Sequence, residues 1–529
     1  MTSPSGTILT TATTVACLNC RDKHLKCDGN PSGCGRCRSL SLACHFVPSR
    51  RGRRGRPADF SCFDTCFLPP TGITRTGQTP PYVDASLPLI GPSDVPTPSW
   101  PDPPRTAPQM NVHLIKVFFE YFHPAHPILP PFDLWAASSP PQYLISTIEL
   151  IGLHHLSPCQ VPDYPSDLWA AIGNADLALE KAQSYLLLSI LSHGQKSPDS
   201  ARKCIGSAIE CAYTLGLHCR DLSDTVEPHD PARAESMRRT LWEIFVVDTL
   251  LTAVQVGGSL QYNMETPDVA LPSEDDKFVL GHSVASTVFA RDLGMHALYA
   301  DGRLSSLAYR VEATLILRQC LAACETHACE DTVEVLDSAI SAWFLRWPHD
   351  KSAILQPDGK VNQTDIQSAM IMHCATIYLH FPRSLLVSFL PTTREVFCLR
   401  PPQPFPSPST TTNNPQMHTA KIVHAATALS KLASLSTVVT GHSPFFACTL
   451  VLSSLVQVTI LSGPALGIPP GKHVAHLALN LAVLRSMGSI WGISASASDA
   501  LRAISREVEA ASNESVDELM RPLSRATVP

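Results

Sequence analysis

The sequence predicts two structural parts: a small irregular domain built around clustered cysteines, and a large all-α body joined to it by a proline-rich linker. Three observations lead to this fold class. Six of the 18 cysteines fall within residues 17–44. Twelve prolines fall within residues 69–108, a density that no helix sustains. From residue 111 onward, apolar residues recur at steps of three and four, which is the spacing of a helix with one buried face.

The six cysteines repeat one spacing twice. Each half reads C-x2-C-x6-C, and the second half follows with an offset of 17 residues: Cys17, Cys20, Cys27, Cys34, Cys37 and Cys44. Cysteines two residues apart are common paired ligands of tetrahedral zinc. Two zinc ions need eight ligand positions, so six thiolates suffice only if two of them bridge both ions. The spacing therefore predicts a cofactor of two Zn²⁺ per chain in one cluster.

A disulfide framework and an iron–sulfur site are the alternatives for these cysteines. Disulfides persist in oxidising compartments, whereas intracellular thiols stay reduced. Residues 1–15 lack the basic start and the continuous apolar core of a secretory leader, so an intracellular, zinc-bound state is favoured.

The residues around the cysteines resemble a known family. Ala16 to Gly29 (ACLNCRDKHLKCDG) and Asn30 to Cys37 (NPSGCGRC) are similar to the fungal zinc binuclear cluster transcription factors. The resemblance implies that the first and fourth cysteines, Cys17 and Cys34, bridge the two zinc ions. It also implies two short helices around the cluster, and recognition of CCG-type triplets in double-stranded DNA.

Basic residues follow the first cysteine pair, where a helix held by metal–thiolate bonds would present them to the major groove. From the positions that the resemblance implies, we expect Lys23 and His24 to contact base edges and Arg21 and Lys26 to contact phosphates. His24 departs from the Lys or Arg that is commoner there. The alternative is a solvated face that offsets the negative cluster. Arg36 and Arg38, in the second half, are candidates for phosphate contact only.

A basic arm follows the cluster, with arginines at positions 50, 51, 53, 54 and 56. Its end, Arg54-Gly55-Arg56-Pro57, resembles an AT-hook, in which arginines enter the narrow minor groove of A·T-rich DNA. Two interpretations stay open for the arm residues Arg50, Arg51, Arg53, Arg54 and Arg56. They either recognise the minor groove of A·T-rich DNA, or they have a general role as a nuclear import signal or as phosphate contacts.

Charge is divided unevenly along the chain. Residues 17–56 carry a net charge of +8, which leaves −14 for residues 57–529 out of a total of −6. A basic head on an acidic body is typical of a nucleic-acid-binding protein with a separate regulatory part. The predicted domains are a disordered N-terminus (1–15), the cluster (16–46), the arm and linker (47–110) and the all-α body (111–529), with a low-complexity loop at 401–415. No apolar heptad repeat follows the cluster, so dimerisation through a coiled coil there is not expected.

Helices are predicted along the body near 143–156, 168–192, 200–217, 232–255, 304–323, 332–346, 364–389, 417–439, 445–461, 473–488 and 497–512. The apolar stretch 445–461 is expected to be a core helix and not a membrane span, since polar residues interrupt it. Three stretches resemble the regulatory domain of fungal transcription factors: Tyr121 to Leu129, Ala208 to His218 and Glu235 to Asp248. One departure is Glu243, where the family often has an aromatic residue after the tryptophan.

Catalytic signatures are lacking. No nucleophile elbow, complete phosphate loop or dinucleotide fingerprint is found, and the paired histidines lack metalloprotease spacing.

We therefore expect a nuclear DNA-binding transcription factor, not an enzyme, that acts on RNA polymerase II genes and contacts the transcription machinery. Activation of a secondary-metabolite gene cluster is favoured, because compact family members often have that role. The alternatives are a regulator of nutrient use or xenobiotic response controlled by a small-molecule effector, and a scaffold that uses the zinc domain for protein contact. Association into a homodimer through the body stays open, and no membrane partner is expected.

Overall fold

The computed structural model divides the chain into two compact units, Met1–Trp100 and Pro101–Pro529. In the first unit it describes residues 17, 20, 26–28, 30, 34–40 and 44. In the second it describes residues 110–524, except 162–164, 221–224, 255–263, 275–277, 279–287, 294–303, 327, 348–353, 356–358, 360, 392–413, 436–438 and 464–465. Side chains beyond Ala510 are not described. The predicted disordered N-terminus, arm, linker and most of the low-complexity loop thus lie outside the described residues.

The described part of the first unit includes a short helix, α1 (Gly35–Ser39), and Cys20 is helical as well. Cys34 caps this helix, because its sulfur accepts a hydrogen bond from the backbone N–H of Cys37 at 3.4 Å. The helix therefore begins directly after Cys34 and includes Cys37, whereas the sequence predicted a helix that follows the cysteine pair. Burial of the Cys17, Cys20, Cys34 and Cys37 thiols gives this unit a core made of cysteines.

The second unit begins with α2 (Val112–Val117), which continues as a π-turn (Phe118–Phe122) and a 3₁₀ turn (His123–Ala125). The body then consists of packed helices without strands among its described residues. They are α3 (Phe132–Ala137), α4 (Gln142–Leu156), α5 (Ser166–Asn174), α6 (Leu179–Gly194), α7 (Pro198–Thr214), α8 (Pro231–Ala253), α9 (Ser306–Glu325), α10 (Glu330–Arg346), α11 (Gln363–His380), α12 (Pro415–Ala433), α13 (Pro444–Ser462), α14 (Gly471–Met487) and α15 (Gly492–Ser524). The predicted all-α class is confirmed.

Two of the predicted helices have different bounds for identifiable reasons. The stretch 168–192 forms two helices, because Lys181 Nζ donates to the carbonyls of Gly173 (2.9 Å) and Ala175 (2.7 Å) and so caps the end of α5. The stretch 364–389 is helical only to His380. Pro382 follows and cannot continue the backbone hydrogen bonds, so the chain passes into 3₁₀ turns.

Helix α13 lies in the centre of the body, as expected. By length and composition alone it is apolar enough to cross a membrane, with a mean hydropathy of 1.9. However, 89% of that apolar stretch is buried inside the protein. Its polar residues pair with neighbouring helices: Asn480 on α14 donates to the hydroxyls of Ser453 (3.1 Å) and Ser454 (3.2 Å). It is therefore a core helix.

A buried ionic network holds several elements of the body together. Glu243 on α8 accepts hydrogen bonds from Arg310 on α9 and from Nδ1 of His126, the latter at 2.8 Å. These three side chains are at most 2% exposed. Arg310 also donates to Gln367 on α11 at 2.7 Å, and His126 Nε2 lies 3.0 Å from the hydroxyl of Ser443, which caps α13. Arg310 thus compensates the buried charge of Glu243, and His126 adds a hydrogen bond to the same carboxylate.

Three cysteines of the body lie on or just after α7. Cys204 and Cys211 on α7 are buried, as is usual for apolar thiols, whereas Cys219 is exposed. Cys219 lies outside the helix, because α7 ends at Thr214 and the chain turns at Gly216, whose φ is +76°.

Candidate metal centre and nucleic-acid interface

The six predicted ligand cysteines come together as two overlapping groups of four. In each group all four sulfur atoms lie within 4.8 Å of one another. The two groups share two cysteines, which are the ones that the resemblance assigns as bridges. One group is Cys17, Cys20, Cys27 and Cys34, and the other is Cys17, Cys34, Cys37 and Cys44.

The distances between these sulfur atoms suit metal coordination. The Sγ atom of Cys17 lies 3.7 Å from that of Cys34 and 3.7 Å from that of Cys37, and the Sγ atoms of Cys20 and Cys34 are 3.8 Å apart. A tetrahedral zinc ion with Zn–S bonds of ~2.3 Å separates its sulfur ligands by about 3.8 Å. A disulfide requires a contact of ~2.05 Å, so these cysteines are not paired as disulfides. The donor set therefore fits two zinc ions.

The two shared cysteines differ in pKa from the neighbouring cysteines Cys20 and Cys37. The backbone N–H groups of Cys20 and Cys37 lower the pKa of Cys17 and Cys34, respectively, by hydrogen bonding to their sulfur atoms. Burial raises the pKa of Cys20, and hydrogen bonding within the cluster raises that of Cys37 to about 12. Cys20 and Cys37 thus do not ionise unaided at neutral pH, and divalent cations would supply the positive charge that a full set of thiolates needs.

One contact outside the sulfur cluster joins its two halves. The backbone N–H of Gly35, the first residue of α1, donates to Oδ2 of Asp28 at 2.8 Å. Asp28 follows Cys27 and Gly35 follows Cys34, so each partner lies next to a cysteine of a different half. This pair was not predicted from the sequence. The available signal was an acidic residue and a glycine directly after two of the repeated cysteines.

The expected DNA-contacting residues are only partly described. Lys26 is exposed beside Cys27, and both Arg36 and Arg38 on α1 are exposed. Arg21, Lys23, His24 and the arm residues Arg50, Arg51, Arg53, Arg54 and Arg56 lie outside the described residues. Within the described part, the surface near the cysteines therefore presents three basic side chains.

Comparison with known proteins places two domains on the chain. Residues 15–54 match the fungal Zn(2)-Cys(6) binuclear cluster domain, and residues 115–279 match the fungal specific transcription factor domain. A curated relative, the C6 finger domain transcription factor iacK of Pestalotiopsis fici, is 26% identical over 569 aligned positions. The alignment covers 93% of this chain and 80% of the relative. No solved structure matches the chain.

Proposed function

Since the chain belongs to the fungal Zn(2)-Cys(6) transcription factors, we propose that it activates a secondary-metabolite biosynthetic gene cluster from within the nucleus. Members of this family bind DNA and two zinc ions per chain, and they are regulators and not enzymes. The pair of four-sulfur groups that share Cys17 and Cys34 carries the DNA-binding part of the proposal. The similarity to a C6 finger transcription factor over 93% of the chain supports its regulatory part.

In this proposal Cys17, Cys20, Cys27, Cys34, Cys37 and Cys44 are the zinc ligands. These residues would hold two zinc ions, because they form two groups of four sulfur atoms that share Cys17 and Cys34. Bound zinc would supply the positive charge that keeps the thiolates deprotonated, and would fix short segments that are too small to fold alone. The protein in turn buries the two shared sulfur atoms completely, which shields the bridges from solvent.

DNA recognition then depends on the basic residues that the cluster orients. Lys23 and His24 contact base edges of a CCG-type triplet in the major groove, and Arg21 and Lys26 contact phosphates. The exposed position of Lys26 beside a ligand cysteine supports its share of this role. Arg36 and Arg38 add phosphate contacts from the second half.

The arginine arm extends this contact beyond the cluster. Five arginines within residues 50–56 cannot form a core, so their role is external. They contact the DNA backbone, direct nuclear import, or read an A·T-rich minor groove beside the triplet. Each phosphate neutralised adds ~0.9 to the slope of log affinity against log salt, which identifies the DNA-bound roles.

The helical body connects DNA binding to the transcription machinery. The similarity to a transcription factor over 93% of the chain supports a regulatory role for the whole body. One cavity, between α8, α9, α11 and α13, measures about 30 Å³, and another, between α4 and α5, measures about 420 Å³. Pockets for small-molecule ligands measure ~300–1,000 Å³, so the larger cavity has the volume that an effector needs, and the alternative of effector control stays open. A homodimer would form through the body, because no heptad repeat follows the cluster.

A genetic experiment separates the proposal from its alternative. The gene is deleted and complemented with the intact sequence or with the Cys17→Ser variant, and transcripts are compared. We expect a contiguous set of biosynthetic genes to lose expression in the deletion and in the Cys17→Ser strain. Loss confined to scattered transporter or detoxification genes would favour the regulator of nutrient use or xenobiotic response. Unchanged transcripts would contradict both.

A further inference from the structure

The hydrogen bond between Asp28 and Gly35 involves no sulfur atom, but it connects the two halves of the cysteine cluster. Zinc–thiolate bonds fix the positions of sulfur atoms, but the backbone on either side can still rotate about the cysteine side chains. Contacts beyond the ligands normally restrict this freedom in metal sites. Among the described contacts of the first unit, the one from Gly35 N–H to Asp28 Oδ2 at 2.8 Å joins a residue next to Cys27 with a residue next to Cys34.

The two partners suit each other chemically. Gly35 is the first residue of α1, so its N–H has no acceptor within the helix. A carboxylate at this end of a helix is favoured by the aligned peptide dipoles. Gly35 also leaves room for the carboxylate, because a Cβ atom at this position would lie only 2.9 Å from Asp28 Oδ2. A larger residue at position 35 would displace the carboxylate from the N–H.

We propose that Asp28 is a positioning residue for DNA recognition, whose bond to Gly35 holds the two halves of the cluster in one mutual orientation. Lys26 lies two residues before Asp28, and Arg36 follows Gly35 directly. The bond therefore fixes the basic side chains of one half relative to those of the other. Only a fixed arrangement lets both sets contact the same DNA site together. This inference rests on the proposed DNA binding.

The test uses the full-length, zinc-loaded protein and three variants: Asp28→Ala, Asp28→Asn and Gly35→Ala. Asn at position 28 keeps an oxygen that can accept the hydrogen bond from the Gly35 N–H, whereas Ala at position 28 has no acceptor. Ala at position 35 displaces the Asp28 carboxylate, although it improves the intrinsic helix propensity. Ser39→Ala is the matched control on α1, since its hydroxyl donates to the Arg36 carbonyl in the same helix. Zinc content and affinity for the selected site and for random DNA are measured for each.

We expect two zinc ions per chain in every variant. Asp28→Ala and Gly35→Ala should each lose about five- to tenfold in affinity for the selected site and little on random DNA, as for the loss of one hydrogen bond. Asp28→Asn and Ser39→Ala should stay close to the parent.

Three results would overturn the inference. Loss of zinc from Asp28→Ala or Gly35→Ala would show that the bond supports the cluster itself. Parent-like affinity in both would show that the bond does not matter. Tighter binding to all DNA in both Asp28 variants, with Gly35→Ala unchanged, would show that Asp28 acts only by its charge. If the parent protein selects no site, the proposed function fails instead.

Discussion

Glu243 and Arg310 form an ion pair at the centre of the helical body, although 67 residues separate them in the sequence. Glu243 is 1% exposed and Arg310 is 2% exposed. Burial by itself raises the pKa of Glu243, but the Arg310 charge and the hydrogen bond from His126 outweigh it and lower the pKa overall. The carboxylate is therefore ionised, and its pairing with Arg310 makes a buried glutamate acceptable at this position.

Removing one member of this pair should destabilise the body strongly. We expect Glu243→Ala to lower the free energy of unfolding by about 3–5 kcal/mol, because Arg310 would be left buried without its counter-ion. The double variant Glu243→Leu, Arg310→Met should recover most of this loss. Arg233→Ala, which breaks an exposed pair with Glu180, is the control and should cost at most about 1 kcal/mol. Denaturant unfolding followed by tryptophan fluorescence measures each value, and equal losses for Glu243→Ala and Arg233→Ala would contradict this assignment.

The stability of the helical body should depend on pH through Asp337. Its carboxylate accepts a hydrogen bond from Nε2 of His380 at 3.0 Å and pairs with Lys421, and these partners lower its pKa to about 2. A carboxyl whose folded pKa is depressed stabilises the fold above its unfolded pKa of ~4, and that contribution disappears as the pH falls towards 2. Asp337→Asn should therefore cost about 1–2 kcal/mol at neutral pH.

The difference between parent and Asp337→Asn should shrink between pH 4 and pH 2. Unfolding midpoints measured across this range test it, with Asp199→Asn as a control on an exposed carboxylate at the start of α7. A difference that stays constant with pH would show that Asp337 contributes packing or neutral hydrogen bonds only.

Metal content should distinguish the shared cysteines from the others. Native mass spectrometry of the full chain should show two zinc ions. Cys17→Ser should lose both, because this sulfur belongs to both groups of four, whereas Cys20→Ser should keep one. A single tightly held zinc in the parent, or the same loss in both variants, would contradict a cluster bridged by Cys17.

His24 and Lys26 should affect DNA binding differently. If His24 contacts a base edge, His24→Ala should weaken binding to the selected site by about 1–3 kcal/mol and relax the preference at one base position. Lys26→Ala should weaken binding to all sequences alike and reduce the salt slope by about 1. Equal losses on selected and random DNA for both changes would show that His24 does not read a base.

The sequence predicted those features that depend on local spacing. The six cysteines lie within 28 residues, so their repeat alone indicated the cluster, and the apolar stretch around Phe445 to Leu461 indicated a core helix. Pairings between distant segments were not predictable in this way. No local pattern links Glu243 with Arg310, or His380 with His418, whose Nδ1 atoms lie 2.8 Å apart.

The predicted helix bounds were wrong where a tertiary contact or a turn determines the end of a helix. The break between α5 and α6 depends on Lys181 bonding back to the carbonyls of Gly173 and Ala175, in a segment without proline. The end of α11 carried a readable signal in Pro382, which the apolar periodicity of the following residues obscured. Periodicity thus located the helices, while capping contacts set their ends.

Selection of DNA from a random pool by the full-length, zinc-loaded protein tests the central claim most directly. The claim is that a two-zinc cluster of six cysteines makes this chain a sequence-specific DNA-binding regulator. We predict enrichment of CCG-type triplets, lost when zinc is removed by a chelator and restored when zinc is returned. A pool that shows no enriched sequence, or the same enrichment with and without zinc, would contradict it.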